Sequence, residues 1–224
     1  MPISGMAFSL DANPRFADRA EAGRILAPLL VARGFADPLV YALPRGGVPV
    51  ALPIAEALHA PLDLLLVRKL GVPWQPELGF GAIAEGLEEP VLNQDIIAHA
   101  GLTEDIIAPV LAAERHELAR RTAAYLKGRG RQDPKGHIVI LVDDGLATGV
   151  TARAALAALR KQGAACLVLA VPIAAPESVA EFQGSADEVI TAETAPIRFG
   201  IGAFYRDFHQ ISDAEMLEML SSQN

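Results

Sequence analysis

Apolar positions along the chain change period several times, and each change marks an element. Between Pro14 and Arg33, Ile25, Leu26, Leu29 and Leu30 recur at helical spacing and Gly34 follows as a stop, which predicts a helix with those four residues on one face. Leu39 to Leu43 is a short strand closed by Pro44-Arg45-Gly46-Gly47, Val48 to Leu58 a helix, and Leu62 to Val67 a continuous apolar run of the kind buried in a parallel sheet. Gly71 to Pro90 dissolves into Gly, Pro and Glu and is expected to be a long loop, with a hairpin around Phe80 to Ala84. A helix is predicted from Thr103 to Leu126, kinked or restarted at Pro109, with Glu117 one turn before Arg121. His137 to Val142 is the most apolar strand; the helix Gly149 to Lys161, the strand Cys166 to Val171, the helix Pro176 to Phe182 and the short strand Glu188 to Ile190 follow. Strands alternating with helices predict an α/β fold, a doubly wound, mainly parallel sheet with helices on both faces. Beyond Thr191 the rhythm breaks into the aromatics Phe199, Phe204, Tyr205 and Phe208, before an amphipathic end at Met216, Leu217 and Leu220.

Composition narrows the function. The chain has 224 residues, 51% hydrophobic and 21% charged, a balance that suits one packed domain. No apolar run reaches the roughly 18 residues of a membrane-spanning helix and the N-terminus does not read as a leader, so a cytoplasmic protein without a membrane partner is expected. The net charge of −8 argues against a nucleic-acid surface, because such affinity comes largely from clustered Lys and Arg. An anion must then be held locally, by a few arginines, by N–H groups at a helix start or by a divalent metal. Cys166, the one cysteine, sits in an apolar run and supports neither a disulfide framework nor a thiolate metal site.

The segment from Ile138 to Thr151, I-V-I-L-V-D-D-G-L-A-T-G-V-T, carries the chemistry. A buried strand ends in Asp143 and Asp144, and a turn of small residues leads straight into a helix. Ligands of open α/β sheets bind beyond the strand ends. N–H groups from Ala147 to Thr151 converge at the helix start, and the Thr148 and Thr151 hydroxyls add donors, a cradle for one phosphate dianion. Two ionised carboxylates only accept hydrogen bonds, so they suit vicinal sugar hydroxyls or a hydrated Mg²⁺.

This segment resembles the signature of the type I phosphoribosyltransferases, which bind 5-phosphoribosyl-1-diphosphate (PRPP). The resemblance implies that Asp143 and Asp144 hold the ribose hydroxyls and, partly through water and PRPP, Mg²⁺, and that Ala147, Thr148, Gly149, Val150 and Thr151 hold the 5′-phosphate. Pro44-Arg45-Gly46-Gly47 resembles the family's diphosphate loop, where a strained or cis peptide often lies; taken alone, an R-G-G turn is more simply a tight connection. Arg68 and Lys69 are similar to a basic pair beside the diphosphate, although two charges at a strand end are commonly a solvated edge. By resemblance Arg45, Gly46, Gly47, Arg68 and Lys69 are diphosphate-binding, and Asp143, Asp144, Arg68 and Lys69 catalytic. The run from Arg68 to Glu85 is similar to a bacterial subgroup whose acceptor is unassigned.

The implied organisation is one domain over 1–224, a core of about 14–190 with its flexible catalytic loop at Gly71 to Pro90 and a hood over about 191–224 covering the acceptor. The implied activity is transfer of phosphoribose from PRPP, with Mg²⁺, to a nitrogenous acceptor such as a nucleobase, releasing diphosphate, in a homodimer. Where 6-oxopurine enzymes carry an aspartate that exchanges a proton with the purine, this chain has Ala147, which disfavours hypoxanthine or guanine. Glu77 and Glu85 are the nearest acid/base candidates, unless they are only solubilising loop carboxylates.

Other signals are weaker. Gly79 to Ala84 fits G-x-G-x-x-A but follows a Pro-rich stretch instead of a core strand, and Val150 stands where a nucleotide-triphosphate loop needs lysine. The alternative functions are a PRPP-binding sensor that has lost its acceptor site, and an interaction module docking through the Phe199 to Phe208 aromatics.

Overall fold

A computed structural model describes residues 14–147 and 149–221. Helix α1 (Arg19–Val31) starts where the Asp18 carboxylate accepts the Glu21 N–H at 2.7 Å, an N-cap that satisfies one of the helix's orphan donors. It is shorter than the expected helix from Pro14, because Arg15 and Phe16 instead donate their N–H groups to the Phe204 carbonyl. Its apolar face is also narrower. Leu26 and Leu30 are fully buried, whereas Ile25 and Leu29 face outward.

Strand β1 (Leu39–Ala42) leads into α2 (Gly47–Leu58) and then β2 (Leu62–Leu64). With β6 (Ile138–Val142), β7 (Cys166–Ala174) and β8 (Glu188–Thr194) these form one five-stranded sheet in the order β2-β1-β6-β7-β8, every neighbouring pair parallel. Helices α5 (Val150–Lys161) and α6 (Pro176–Glu181) supply the later crossovers. Alternate β6 residues divide between two cores, Val139 and Leu141 with Leu156 and Leu159 of α5, Ile140 and Val142 with Leu26 and Ile54 of α1 and α2. The doubly wound prediction holds.

Two expectations are overturned between Leu62 and Pro90. The run Leu62 to Val67 is not one strand: the chain leaves the parallel sheet after Leu64, and Val67 opens β3 (Val67–Val72) in a second sheet. The expected long loop is largely that sheet, in which β4 (Gln75–Ala84) pairs antiparallel with β3 and with β5 (Val91–Leu92). The expected hairpin exists, but it turns at Pro73-Trp74, with Phe80 to Ala84 inside a strand. Gly81 explains why a glycine-rich stretch pairs: a Cβ there would lie 2.5 Å from the Val91 carbonyl oxygen, so only glycine lets β5 approach.

Both faces of this small sheet are covered. Leu70, Val72, Phe80 and Ile83 pack toward α3 (Gln94–Ala100) and α4 (Glu104–Tyr125), while Ala82 and Ala84 pack against α5. Helix α3 has no counterpart in the sequence reading. Helix α4 runs through Pro109 without restarting; the bond lost there frees only the carbonyl of Asp105, on an exposed turn. The expected Glu117–Arg121 pair forms at 2.7 Å. After β8 the chain makes a 3₁₀ turn (Ile201–Phe204) and packs Tyr205 against Phe16, then ends in α7 (Asp213–Ser221), which buries Met216 and Leu220. Among the described residues no helix is long and apolar enough to cross a membrane.

Candidate active site

Strands β1 and β6 are parallel neighbours, so the turns that follow them open on the same end of the sheet. Pro44 to Gly47 follows β1 and Asp143 to Gly149 follows β6. They touch: a Cβ on Gly46 would fall 2.1 Å from Asp144 Oδ2, and one on Gly47 would fall 2.6 Å from the Val142 carbonyl oxygen. The Pro44–Arg45 peptide is cis.

Each aspartate has one oxygen engaged by protein. Asp143 Oδ1 accepts the Asp144 N–H at 2.9 Å, and Asp144 Oδ2 accepts Arg19 Nε at 2.8 Å. Burial and the neighbouring Asp144 charge push the Asp143 carboxyl well above the usual range; burial raises Asp144 too, opposed by the Arg19 hydrogen bond. Two carboxylates facing one guanidinium leave an uncompensated negative charge that sugar hydroxyls or a divalent cation would relieve. Among the described residues no set of three or more metal-ligating side chains gathers anywhere, so any Mg²⁺ here would take its remaining ligands from substrate and water.

The turn that follows leads from β6 into α5. Leu146 is pinned beside β7 by its N–H to the Ile173 carbonyl at 2.9 Å, and the Ala147 carbonyl accepts the Ser178 hydroxyl. Gly149 adopts φ +66°, and a Cβ on it would collide with the Phe182 ring at 2.4 Å, so glycine is required twice over. Val150 and Thr151 open α5 with no acidic residue in its first turn and no side chain capping it, beside an exposed Ala147. Thr148, the remaining residue of the expected cradle, lies outside the described residues.

The basic residues are dispersed. Arg45 reaches Asp213 of α7 at 3.4 Å, and Asp213 also accepts the Tyr125 hydroxyl at 2.6 Å. Arg68 and Lys69, successive on β3, point to opposite faces and do not act as one pair. Arg68 binds Glu114 at 2.6 Å and lines a small recess with Pro44, Arg121 and Tyr125. Lys69 donates to the Glu77 carbonyl at 3.0 Å and shares with Ala147, Val150 and Arg153 a cleft of about 740 Å³. Glu77, fully exposed, stands at the mouth of that cleft. Glu85 does not: it is bound to Arg131 at 2.6 Å beside Gln162, the residue after the last turn of α5, roughly 18 Å along that helix from the phosphate turn. It therefore drops out as an acid or base there.

The sequence reading missed Arg19, Tyr125 and Asp213. Tyr205 and Phe208 were visible only as part of an aromatic cluster; here the Tyr205 hydroxyl donates to the Asp144 carbonyl at 2.6 Å, and the Arg19 guanidinium lies 3.7 Å over the Phe208 ring. Burial, with the Asp144 charge, pushes the Tyr205 hydroxyl pKa up, so it stays a donor.

Comparison with known proteins agrees with this geometry. Residues 10–207 match the family model described as a phosphoribosyl transferase domain. A Mycobacterium tuberculosis protein provisionally named as a phosphoribosyl transferase, Rv0571c in strain H37Rv, is 47% identical over 206 residues, 92% of this chain and 46% of its own length; its counterpart in strain CDC 1551 matches equally. The chain thus spans about half the length of the curated relatives it matches. The crystal structure of TT1426 from Thermus thermophilus superposes with a TM-score of 0.77 at 38% identity, over 93% of this chain and 98% of that one.

Proposed function

Because the chain belongs to the phosphoribosyl transferase domain family, we propose that it transfers phosphoribose from PRPP to a small nitrogenous acceptor, releasing diphosphate. One observation carries the reading. Asp143 and Asp144 directly follow the central strand β6, with one oxygen each free of protein hydrogen bonds among the described residues, and the turn after them leads to the left-handed Gly149 that opens α5. Two free acceptors match two vicinal hydroxyls, and the helix start lies where the sugar's phosphate would follow.

In this reading Ala147, Thr148, Gly149, Val150 and Thr151 bind the 5′-phosphate. Gly46 and Gly47 let backbone approach the diphosphate, and Arg45 takes its charge after exchanging Asp213 for it. Arg68 sits by Pro44 and supplies a second cation to that group; Lys69, across the strand, lies nearer the 5′-phosphate. Mg²⁺, held through Asp143 and Asp144 with PRPP and water, would neutralise charge on the leaving diphosphate. The protein's own part is to fix the ribose and the leaving group so that the acceptor meets the anomeric carbon in line. The part of the expected hood between β8, which runs to Thr194, and α7, which packs into the core, serves as the hood: Ile201 abuts Gly145, Tyr205 holds the Asp144 backbone, and Phe199 is left 72% exposed for an acceptor to cover. Acceptors that need no carboxylate at Ala147 suit this site, such as adenine, orotate, uracil or a simple amine.

The test is diphosphate release from PRPP with Mg²⁺, screened over purines, pyrimidines and amines, beside Asp144→Asn. Acceptor-dependent release that this variant lowers by at least about 100-fold, while its circular dichroism at the assay temperature remains that of the folded wild type, supports the proposal. Binding of PRPP without release under any acceptor identifies a sensor. Absence of PRPP binding in calorimetry removes both readings.

A further inference from the structure

The contact between Arg19 and Asp144 joins residues 125 positions apart, and no local motif announces it. Arg19 is only 8% exposed, unusual for an arginine unless several partners hold it. Three do. Nε donates to Asp144 Oδ2 at 2.8 Å, a terminal nitrogen donates to the His209 carbonyl at 3.0 Å, and the guanidinium plane covers Phe208 at 3.7 Å. Phe208 stacks on Tyr205 with ring centroids 4.9 Å apart, and Tyr205 returns to the Asp144 carbonyl. The contacts close a ring around one residue: the carboxylate is held from α1, the backbone from the C-terminal segment, and the two holds are locked together by stacked rings. Gly46 fills the remaining side, where even a methyl group would strike Oδ2.

Charge neutralisation alone does not call for this. A lysine at the rim would offset the Asp144 charge without burying a guanidinium, whereas a planar fork holds an acceptor at a fixed angle. We infer that Arg19 is a positioning residue, which fixes the Asp144 carboxylate so that Oδ1, free of protein hydrogen bonds among the described residues, presents a lone pair to one hydroxyl of a vicinal diol. The inference rests on the sugar-phosphate reading of this site and adds its selectivity: Arg19 is what makes the pocket distinguish ribose from deoxyribose.

Calorimetry with ribose 5-phosphate, 2-deoxyribose 5-phosphate and 3-deoxyribose 5-phosphate in one Mg²⁺ buffer isolates the hydroxyl contribution, because the phosphate contribution cancels in the affinity ratios. Wild type is expected to prefer ribose 5-phosphate over each deoxy sugar by roughly 10- to 100-fold, the worth of a hydrogen bond to a charged acceptor. In Arg19→Met one of the two ratios collapses to within about 3-fold of unity while the matching deoxy sugar binds as in wild type, and the collapsed ratio identifies the hydroxyl that Asp144 holds. Arg19→Lys, with the charge but not the fork, gives an intermediate ratio. Unchanged ratios in Arg19→Met overturn the inference, as does an equal loss for all three sugars, the mark of general loosening. Should Arg19→Met not fold, Arg19→Lys decides, and wild-type ratios in it overturn the inference. Failure of wild type to bind any of the three sugars is a separate outcome and removes the sugar-phosphate reading beneath it.

Discussion

Gly46→Ala isolates one contact of the site. Gly46 sits at φ −64° and ψ −34°, a backbone that suits alanine, so without a collision the exchange would stabilise the fold by about 0.4–1 kcal/mol through the unfolded chain. The collision decides the sign. The new Cβ would lie 2.1 Å from Asp144 Oδ2, against the 3.4 Å at which ordinary contact begins, a shortfall of 3.4 − 2.1 = 1.3 Å. Asp144 has to rotate, and rotation breaks its hydrogen bond to Arg19, a pair whose side chains are only 18% and 9% exposed. Losing a hydrogen bond to a charged group costs about 1.5–3 kcal/mol. Net destabilisation is then about 0.5–2.5 kcal/mol, or roughly 1–10 °C in Tm for a chain of this size. Urea denaturation of the single variants and of Gly46→Ala with Asp144→Ala checks the reasoning. Without the Asp144 carboxylate, the nearest atom to the added Cβ is Arg19 Nε at 3.4 Å, so in that background Gly46→Ala is neutral or slightly stabilising. An equal cost in both backgrounds refutes the account.

Asp213→Asn removes the charge that Arg45 now pairs with but keeps an acceptor for Tyr125; such a half-exposed pair is worth about 0.2–1 kcal/mol, so diphosphate affinity measured by calorimetry rises roughly 1.5- to 5-fold. Gly149→Ala combines an unfavourable φ with a collision at Phe182 and lowers stability by at least about 1–3 kcal/mol, with loss of phosphate binding; wild-type Tm and affinity would contradict the structure. The Asp207 hydrogen bond, aided by Glu215, raises the His209 pKa above its ordinary 6.5. The raised value means that protonated His209 favours the folded state below pH 6.5, and that this contribution fades as pH climbs through the folded pKa. In an NMR titration Asp207→Asn should bring the His209 midpoint back toward 6.5, and a midpoint that does not move would dismiss the contact.

What the sequence disclosed and what it hid follow from distance along the chain. The strand, acid pair, turn and helix from Ile138 to Thr151 are consecutive, so the family signature could be read directly. The second sheet was hidden because Gly71, Gly79, Gly81, Pro73 and Pro76 have the composition of a loop. They pair because α4 and α5 cover both faces and because glycine admits the Val91 carbonyl, neither of which is local. The same holds for Ile25 and Leu29, whose helical spacing matches Leu26 and Leu30 but which stand 45% and 43% exposed among the described residues. Arg19 and Asp213 were invisible for the opposite reason: each lies far in sequence from the residue it serves, and a lone charge in a helix looks like solvated surface. Even the apparent Arg68-Lys69 pair was a local reading defeated by the pleat of β3.

Clamping of the small sheet limits which of its parts can move. With Ala82 and Ala84 seated on α5, and Leu70, Phe80 and Ile83 on α4 and its neighbours, the hairpin cannot swing as a rigid flap without stripping two apolar interfaces at once. The pairing register shifts at Gly71, and beyond it the outer arm carries the exposed Trp74 and Glu77, which neither apolar interface holds. On the proposed function, enclosing the sugar phosphate would fall to a short fingertip on a fixed knuckle, and lengthening or trimming that fingertip would alter its dwell time while leaving the folded core untouched.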